Sequence, residues 1–284
     1  MKRFKKILRY ISYFILLIIT ILIIGFYWLS KVSSDQKIKD SFEELGVHTK
    51  IRYLEYDSKN VRVVSSVNFV RSKPTLIFIH GSIGSSLDFK DYWKNPYLQK
   101  HFNLVSYDRI GYAPDQDGEV LNSIKKETEV LQKIVDLFKP SQLILVGYSY
   151  GGPIALNYAL QHEVNKIALI APAIFAEYEM IPSLVNIYKI DLFKPLIPDV
   201  WKSASKEKLS HQVELKKFEN SWKDLKEELL LIHGDNDWIV PFENSSRLSK
   251  QIPSSKLITL SGEGHGLVWS SAEEIQEELL KFLQ

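Results

Sequence analysis

The sequence predicts an α/β fold: a mostly parallel central sheet flanked by helices, with a helical insertion and an N-terminal transmembrane helix. Three observations predict it. After Pro74, short apolar runs alternate with helical stretches, the order that builds parallel β-α-β units. One stretch between two of those strands, about residues 174–226, lacks strand pattern and is too long for a simple connection. Residues 10–30 contain no charged side chain.

The first thirty residues read as a basic tail followed by a membrane anchor. A helix of ~20 residues covers the ~30 Å hydrocarbon core of a bilayer. Tyr10 and Tyr13 lie toward one end of residues 10–30 and Tyr27 and Trp28 toward the other, where amphipathic rings favour the interface. Lys2, Arg3, Lys5, Lys6 and Arg9 precede the span. The positive-inside bias then expects a single-pass protein with a cytoplasmic N-terminus and its domain on the outer side. The competing reading is a cleaved signal peptide, whose apolar region is shorter and ends in small residues. Tyr27-Trp28-Leu29-Ser30 makes a poor cleavage site.

Those five basic residues exceed the chain's whole net charge of +2, so the remainder is mildly acidic. It offers no basic face for nucleic acid. Hydrophobic residues at 45% and charged residues at 25% are ordinary for a globular protein. Cysteine is absent, which excludes disulfides and cysteine-based metal or redox sites. Neither a metal nor a cofactor is expected.

Residues 31–50 read as a polar linker with a short lead-in helix around Ile38, Phe42 and Leu45. The main domain spans 51–284. It opens with β-branched runs at 51–56 and 61–70, expected to pair antiparallel through a turn at Asp57-Ser58-Lys59-Asn60. Further strands are expected at 75–79, 103–107, 142–146, 166–170, 229–232 and 256–260. Helices are expected near 87–100, 119–138, 151–161, 243–251 and 272–283. The insertion at 174–226 is expected to form a helical lid, broken by Pro182, Pro195 and Pro198.

Gly147-Tyr148-Ser149-Tyr150-Gly151 falls between a strand and a helix. In that context a G-x-S-x-G pattern forms a nucleophile elbow: the serine sits on a strained turn, and small neighbours let strand and helix approach. A serine needs a base and an orienting acid to become a nucleophile. Four histidines follow the elbow. His162 ends the next helix and points away; His211 falls in a Lys-rich stretch of the insertion and reads as solvated; His233 sits at a strand end and reads as turn packing. His265, in the glycine-rich loop Gly262-Glu263-Gly264-His265-Gly266 after the last strand, is the expected base. For the acid, Asp235 and Asp237 both lie just beyond a strand's C-terminal end, the edge where α/β sheets collect functional groups.

Taken together, residues 51–284 resemble the α/β-hydrolase superfamily. His80-Gly81-Ser82-Ile83-Gly84 resembles its oxyanion loop, and Asp108-Arg109-Ile110-Gly111 its Asp-x-x-Gly turn. The elbow follows, then His233-Gly234 through Val240-Pro241, and finally Gly264-His265. The resemblance implies a triad of Ser149, Asp237 and His265, with the backbone N–H groups of Ser82 and Tyr150 as oxyanion hole. Asp108 and His80 read as structural. Ala113-Pro114 departs from the family pattern after the Asp-x-x-Gly turn.

The expected activity is hydrolysis of a carboxylic ester or related acyl bond in a small-molecule ester or lipid. Phe175, Tyr178, Tyr188 and Trp201 are candidates to line an apolar acyl pocket, against the alternative that they pack the insertion onto the domain. An aminopeptidase, a C–C hydrolase or an acyltransferase would use the same triad. A catalytically silent binding protein would keep the fold alone.

Overall fold

The computed structural model describes residues 2–284. Helix α1 (Lys2–Leu29) runs as one long apolar helix, none of whose central window is buried against the rest of the chain. By length and composition it can cross a membrane. Helix α2 (Asp35–Glu43) is capped by Ser34, whose hydroxyl accepts from the Lys37 N–H. It is no loose linker: Ile38 and Phe42 are fully buried, and Phe42 packs on Trp93 at 4.9 Å.

A hairpin of β1 (Thr49–Tyr56) and β2 (Lys59–Ser66) forms one edge of the sheet. Its turn is tighter than expected, with only Asp57 and Ser58 between the strands, at φ 50° and 60°. β2 also ends four residues early. Asn103 captures the chain beyond it, accepting from the Val70 N–H at 2.8 Å and donating to the Val70 carbonyl at 2.9 Å. Those groups are thereby lost to sheet pairing.

The chain continues through β3 (Thr75–Ile79), α3 (Lys90–Trp93), α4 (Pro96–His101), β4 (Asn103–Asp108), α5 (Ile124–Phe138), β5 (Leu143–Tyr148), α6 (Gly151–Ala159) and β6 (Lys166–Ile170). The helix expected near 87–100 is broken because Asn95 caps a new start, with Pro96 at its first position. α5 begins at its Ser123 cap rather than at 119. The insertion after β6 holds α7 (Ser183–Tyr188), a 3₁₀ turn at Asp191–Leu196 and the long α8 (Asp199–Phe218). β7 (Glu228–Gly234), α9 (Glu243–Gln251), β8 (Lys256–Leu260), α10 (Leu267–Ser270) and α11 (Ala272–Leu283) complete the chain.

The eight strands lie in the order β1-β2-β4-β3-β5-β6-β7-β8, antiparallel across the first three and parallel beyond. Alternation divides each central strand between two cores. Ile77 and Ile79 face the layer under α5 and α6, while Leu76 and Phe78 face the layer with α2, α3 and α11. Both faces are covered, so the parallel strands read as continuous apolar runs. The C-terminal ends of β5, β7 and β8 share one sheet edge, and Ser149, Asp237 and His265 come together there.

Candidate active site

Ser149 stands between β5 and α6 with φ 52°, a left-handed conformation costly for a side-chain-bearing residue. The surroundings over-determine it. Its N–H donates to the Ile170 carbonyl at 3.0 Å, and its carbonyl accepts from Gly152 at 3.0 Å and Ala173 at 3.2 Å. Gly151 is required for contact: a Cβ there would lie 2.2 Å from the Ile79 carbonyl oxygen. The strand-turn-helix context thus lifts the serine above the sheet edge.

His265 lies in the loop between β8 and α10, and its Nε2 is 3.0 Å from Ser149 Oγ. Its Nδ1 is 2.7 Å from Asp237 Oδ2. The Tyr148 hydroxyl donates to the His265 carbonyl at 2.9 Å, and the two rings stack at 5.2 Å. Asp237, in the turn after β7, accepts from the Ile239 and Val240 N–H groups, each at 2.9 Å. Burial alone would raise the Asp237 pKa. Hydrogen bonds from His233 and His265, the His265 charge and the Val240 N–H outweigh it and hold the carboxyl well below its usual range.

His233 is fully buried and braces this turn. Nε2 lies 2.9 Å from the Val240 carbonyl, and Nδ1 lies 2.8 Å from Ser245 Oγ. Asp235 points elsewhere: its carboxylate accepts from the Gly262 N–H at 2.6 Å, which ties the two loops together. Of the two candidate acids, only Asp237 is within hydrogen-bond reach of His265.

The loop after β3 passes directly over the serine. A Cβ on Gly81 would come within 2.9 Å of Ser149 Cβ. His80 is fully buried and accepts the Arg109 N–H at Nε2, 2.9 Å away, while Nδ1 lies 2.7 Å from the Gly81 carbonyl. Burial, with Arg109 nearby, pushes its pKa well down, so the ring is a neutral brace. Asp108 is likewise structural, accepting from the Ser86 N–H at 2.6 Å and from Arg62 Nε at 2.6 Å.

Sequence reading missed the ionic network behind this loop. Arg109 is fully buried and donates to the His80 and Gly81 carbonyls at 3.2 and 3.1 Å. Its guanidinium also grips Glu207 of α8 twice, at 2.6 and 3.1 Å. The same carboxylate accepts the Ser82 hydroxyl at 2.6 Å and the Tyr112 hydroxyl at 2.7 Å. A residue of the insertion therefore holds both the loop's side chain and the arginine that holds its backbone. Hydropathy gave no signal of this, because Glu207 sits in a helix rich in Lys and Glu. The 3-4-4 spacing Val200, Ser203, Glu207, His211 marks the buried face in retrospect.

A cavity of about 170 Å³ opens onto Ser149 and His265. Ile83, Ala173, Pro182, Val185, Ile239 and Val240 make its wall mainly apolar. Of the four aromatic candidates, Trp201 lines it, and Phe175, Tyr178 and Tyr188 do not. Phe175 is buried in the core beneath α5 and α6, Tyr178 packs edge-on against it at 6.4 Å, and Tyr188 lies beneath Lys194. For these three, packing prevails over pocket lining. His211 is also not solvated. It is 1% exposed, stacks on Tyr150 at 4.4 Å and lines the cavity. Its Nδ1 lies 3.1 Å from Glu179 Oε2. Burial would raise the Glu179 pKa, yet His211 and Lys208 bring it down to about 2. Among the described residues, no group of three or more His, Cys, Asp or Glu side chains could hold a metal ion.

The family described as alpha/beta hydrolase fold matches residues 74–188, and the family described as TAP-like protein matches residues 200–284. An AB hydrolase superfamily protein of Bacillus subtilis is 25% identical over 73% of this chain and 90% of its own length. A 2-hydroxy-6-oxo-2,4-heptadienoate hydrolase of Pseudomonas putida is 23% identical over 70% of this chain and 84% of its own. The solved structure of an esterase from Exiguobacterium antarcticum superposes with TM-score 0.64 at 20% identity, covering 81% of this chain and 98% of the other.

Proposed function

The chain belongs to the α/β-hydrolase superfamily, and from that membership and the site geometry we propose that it is a serine hydrolase of carboxylic esters. The observation that carries the proposal is the relay Ser149–His265–Asp237, at 3.0 and 2.7 Å, with Ser149 and His265 in the wall of an apolar cavity.

In the proposed reaction, Ser149 Oγ attacks the ester carbonyl as His265 Nε2 takes its proton. Asp237 orients the ring through Nδ1–H and stabilises the imidazolium that forms. The oxyanion of the tetrahedral intermediate is received by the backbone N–H groups of Ser82 and Tyr150. Collapse expels the alcohol, which leaves with the proton from His265. Water, activated by the same histidine, then releases the acid from Ser149. Losing one oxyanion donor costs about 3–4 kcal/mol in comparable sites.

The cavity wall favours an ester with an apolar acyl group over an aminoacyl substrate. Among the described residues no Asp or Glu lines it, and a free α-amine would need a carboxylate partner there. The same proposal takes α1 as an uncleaved anchor, with the basic residues cytoplasmic and the hydrolase domain outside. Labelling of the full-length protein by a fluorophosphonate probe tests the chemistry. Wild-type protein should react and Ser149→Ala should not; equal labelling of the two, or none of either, refutes the assignment.

A further inference from the structure

The insertion shields the serine on one side and exposes a concentrated apolar surface on the other. Ile181, Ile187, Ile190, Leu192, Phe193 and Leu196 are each at least 40% exposed, and Leu192 reaches 78%. Single exposed apolar residues are normal on soluble surfaces, but a cluster within sixteen positions marks an interaction site. Lys189 and Lys194 lie among them with one acid, Asp191, which pairs with Lys194 at 2.6 Å and leaves Lys189 as the basic group that suits the headgroup layer.

What covers this surface is indicated by the helix seated beside it. The Tyr27 hydroxyl of α1 donates to the Pro195 carbonyl at 2.7 Å. Trp201 Nε1 donates to Ser30 Oγ at 3.0 Å, and the Phe26 and Trp201 rings meet at 5.5 Å. Tyr27 lies at the outer end of the apolar span, where tyrosine and tryptophan take the interfacial level. The 3₁₀ turn at Asp191–Leu196 is therefore held at the same depth.

The wall between anchor and cavity is also thin. Trp201 and Ile83 line the cavity at Ser149, and both also line a second cleft that runs along Phe26, Leu29 and Ser30. Trp201 and Ile83 thus border both spaces.

We propose that the Ile187–Leu196 surface of the insertion docks into the outer leaflet beside α1, and that the cleft at Trp201 admits the acyl chain of a membrane-resident ester. This rests on the serine-hydrolase and anchor readings above, and it names the substrate class they leave open. The occupant is the bilayer; a second copy of the chain is the competing occupant.

The chain has no cysteine, so the full-length protein takes a single reporter cleanly. An environment-sensitive fluorophore is attached at Leu192→Cys and, as reference, at Glu163→Cys, an exposed site before β6 on the sheet edge opposite Ser149. Both proteins are reconstituted in phosphatidylcholine–phosphatidylglycerol vesicles. The 192 label should shift to the blue and be quenched by brominated acyl chains, and the 163 label should do neither. A water-like signal at 192 overturns the proposal. So does a blue shift that depends on protein density rather than on the lipid, which would show self-association. In the second arm, Leu192→Asp/Phe193→Asp should lower the rate on a long-chain dye ester embedded in the bilayer by about tenfold relative to the rate on soluble p-nitrophenyl butyrate. An unchanged ratio overturns the entry route. If wild-type protein cleaves neither ester, the hydrolase reading fails, while the fluorophore depth still decides the docking.

Discussion

Replacing Glu207 by glutamine tests how far the insertion holds the serine's surroundings together. Glu207 is 1% exposed and accepts four hydrogen bonds, two from Arg109 and one each from Ser82 and Tyr112. Glutamine keeps one acceptor oxygen but removes the charge facing a fully buried guanidinium. Breaking a buried ion pair on one side costs about 3–5 kcal/mol. Arg109 retains Glu127, 3.2 Å from Nη1, which places the expected loss near the lower end. Burial raises the Glu127 pKa to about 7, with Arg109 pulling it down and Glu207 pushing it up. Removing the Glu207 charge lets Glu127 ionise more readily and compensate in part. A loss of about 3 kcal/mol corresponds to a fall of roughly 6–12 °C in Tm for a domain of this size. Thermal unfolding in detergent measures it. On soluble esters kcat should fall more than KM rises, because Ser82 loses its tether while the cavity wall stays in place. The double variant Arg109→Met/Glu207→Leu should restore neither stability nor kcat, since Glu127 is left buried without its guanidinium partner and the His80 and Gly81 carbonyls lose their donor. A Glu207→Gln protein melting within about 2 °C of wild type would refute the reasoning.

Other outcomes follow from the same geometry. Asp237→Asn should retain the fold yet lower kcat by about 10⁴, the loss seen when an analogous aspartate is neutralised. The depressed Asp237 pKa contributes stability above the unfolded carboxyl value near ~4 that is lost as pH falls through the folded value. The Tm gap between wild type and Asp237→Asn should therefore narrow below about pH 4. Asp88 shows the opposite linkage. Burial raises its pKa to about 7, so the folded state holds a proton that the unfolded state releases above ~4. Wild type should lose stability relative to Asp88→Asn between about pH 4 and 7, by up to about 4 kcal/mol at pH 8, in Tm measured across that range. Lys139 closes α5 at φ 45°, and Lys139→Gly should stabilise by about 0.5–1 kcal/mol in chemical unfolding.

The sheet and the relay were legible because each rests on a local pattern. Apolar runs of five or six residues with both faces buried announce parallel strands, and the connection rules narrow their arrangement to a few without giving the strand order. Ser149 lies between Gly147 and Gly151, both required by close contact, and Gly262 at φ 79° turns the chain before His265, whereas Gly264 and Gly266 have room for a side chain. Asp237 was legible only by resemblance: Asp235 is two residues away, and nothing in the local sequence says which one faces His265. Boundaries went wrong where a side chain intercepts the backbone. Asn103 ends β2 at Ser66 by bonding Val70, and Asn95 with Pro96 splits the helix expected at 87–100. Such captures are settled by residues distant in sequence or by caps that compete with periodicity.

The insertion resisted reading for a deeper reason. A glutamate on a buried face and one on a solvated face are identical in a hydropathy profile. Glu207 is buried because Arg109, 98 residues earlier, needs a partner, and Arg109 is buried because the carbonyls of His80 and Gly81 need donors. His211 follows the same logic, held between Glu179 and the Tyr150 ring. The aromatic residues of the insertion mislead in the opposite direction. Phe175 and Tyr178 look like pocket wall, but Phe175 fills the core and Tyr178 packs against it, whereas small residues such as Ala173 and Ala204 line the cavity at Ser149. A cavity is made where side chains are short, so part of its wall is written in the residues that composition counts least. Trp201 is the exception because it faces two ways, toward Ser149 and toward α1. Its position joins the wall beside Ser149 to the apolar helix α1 by a contact that neither sequence pattern contains.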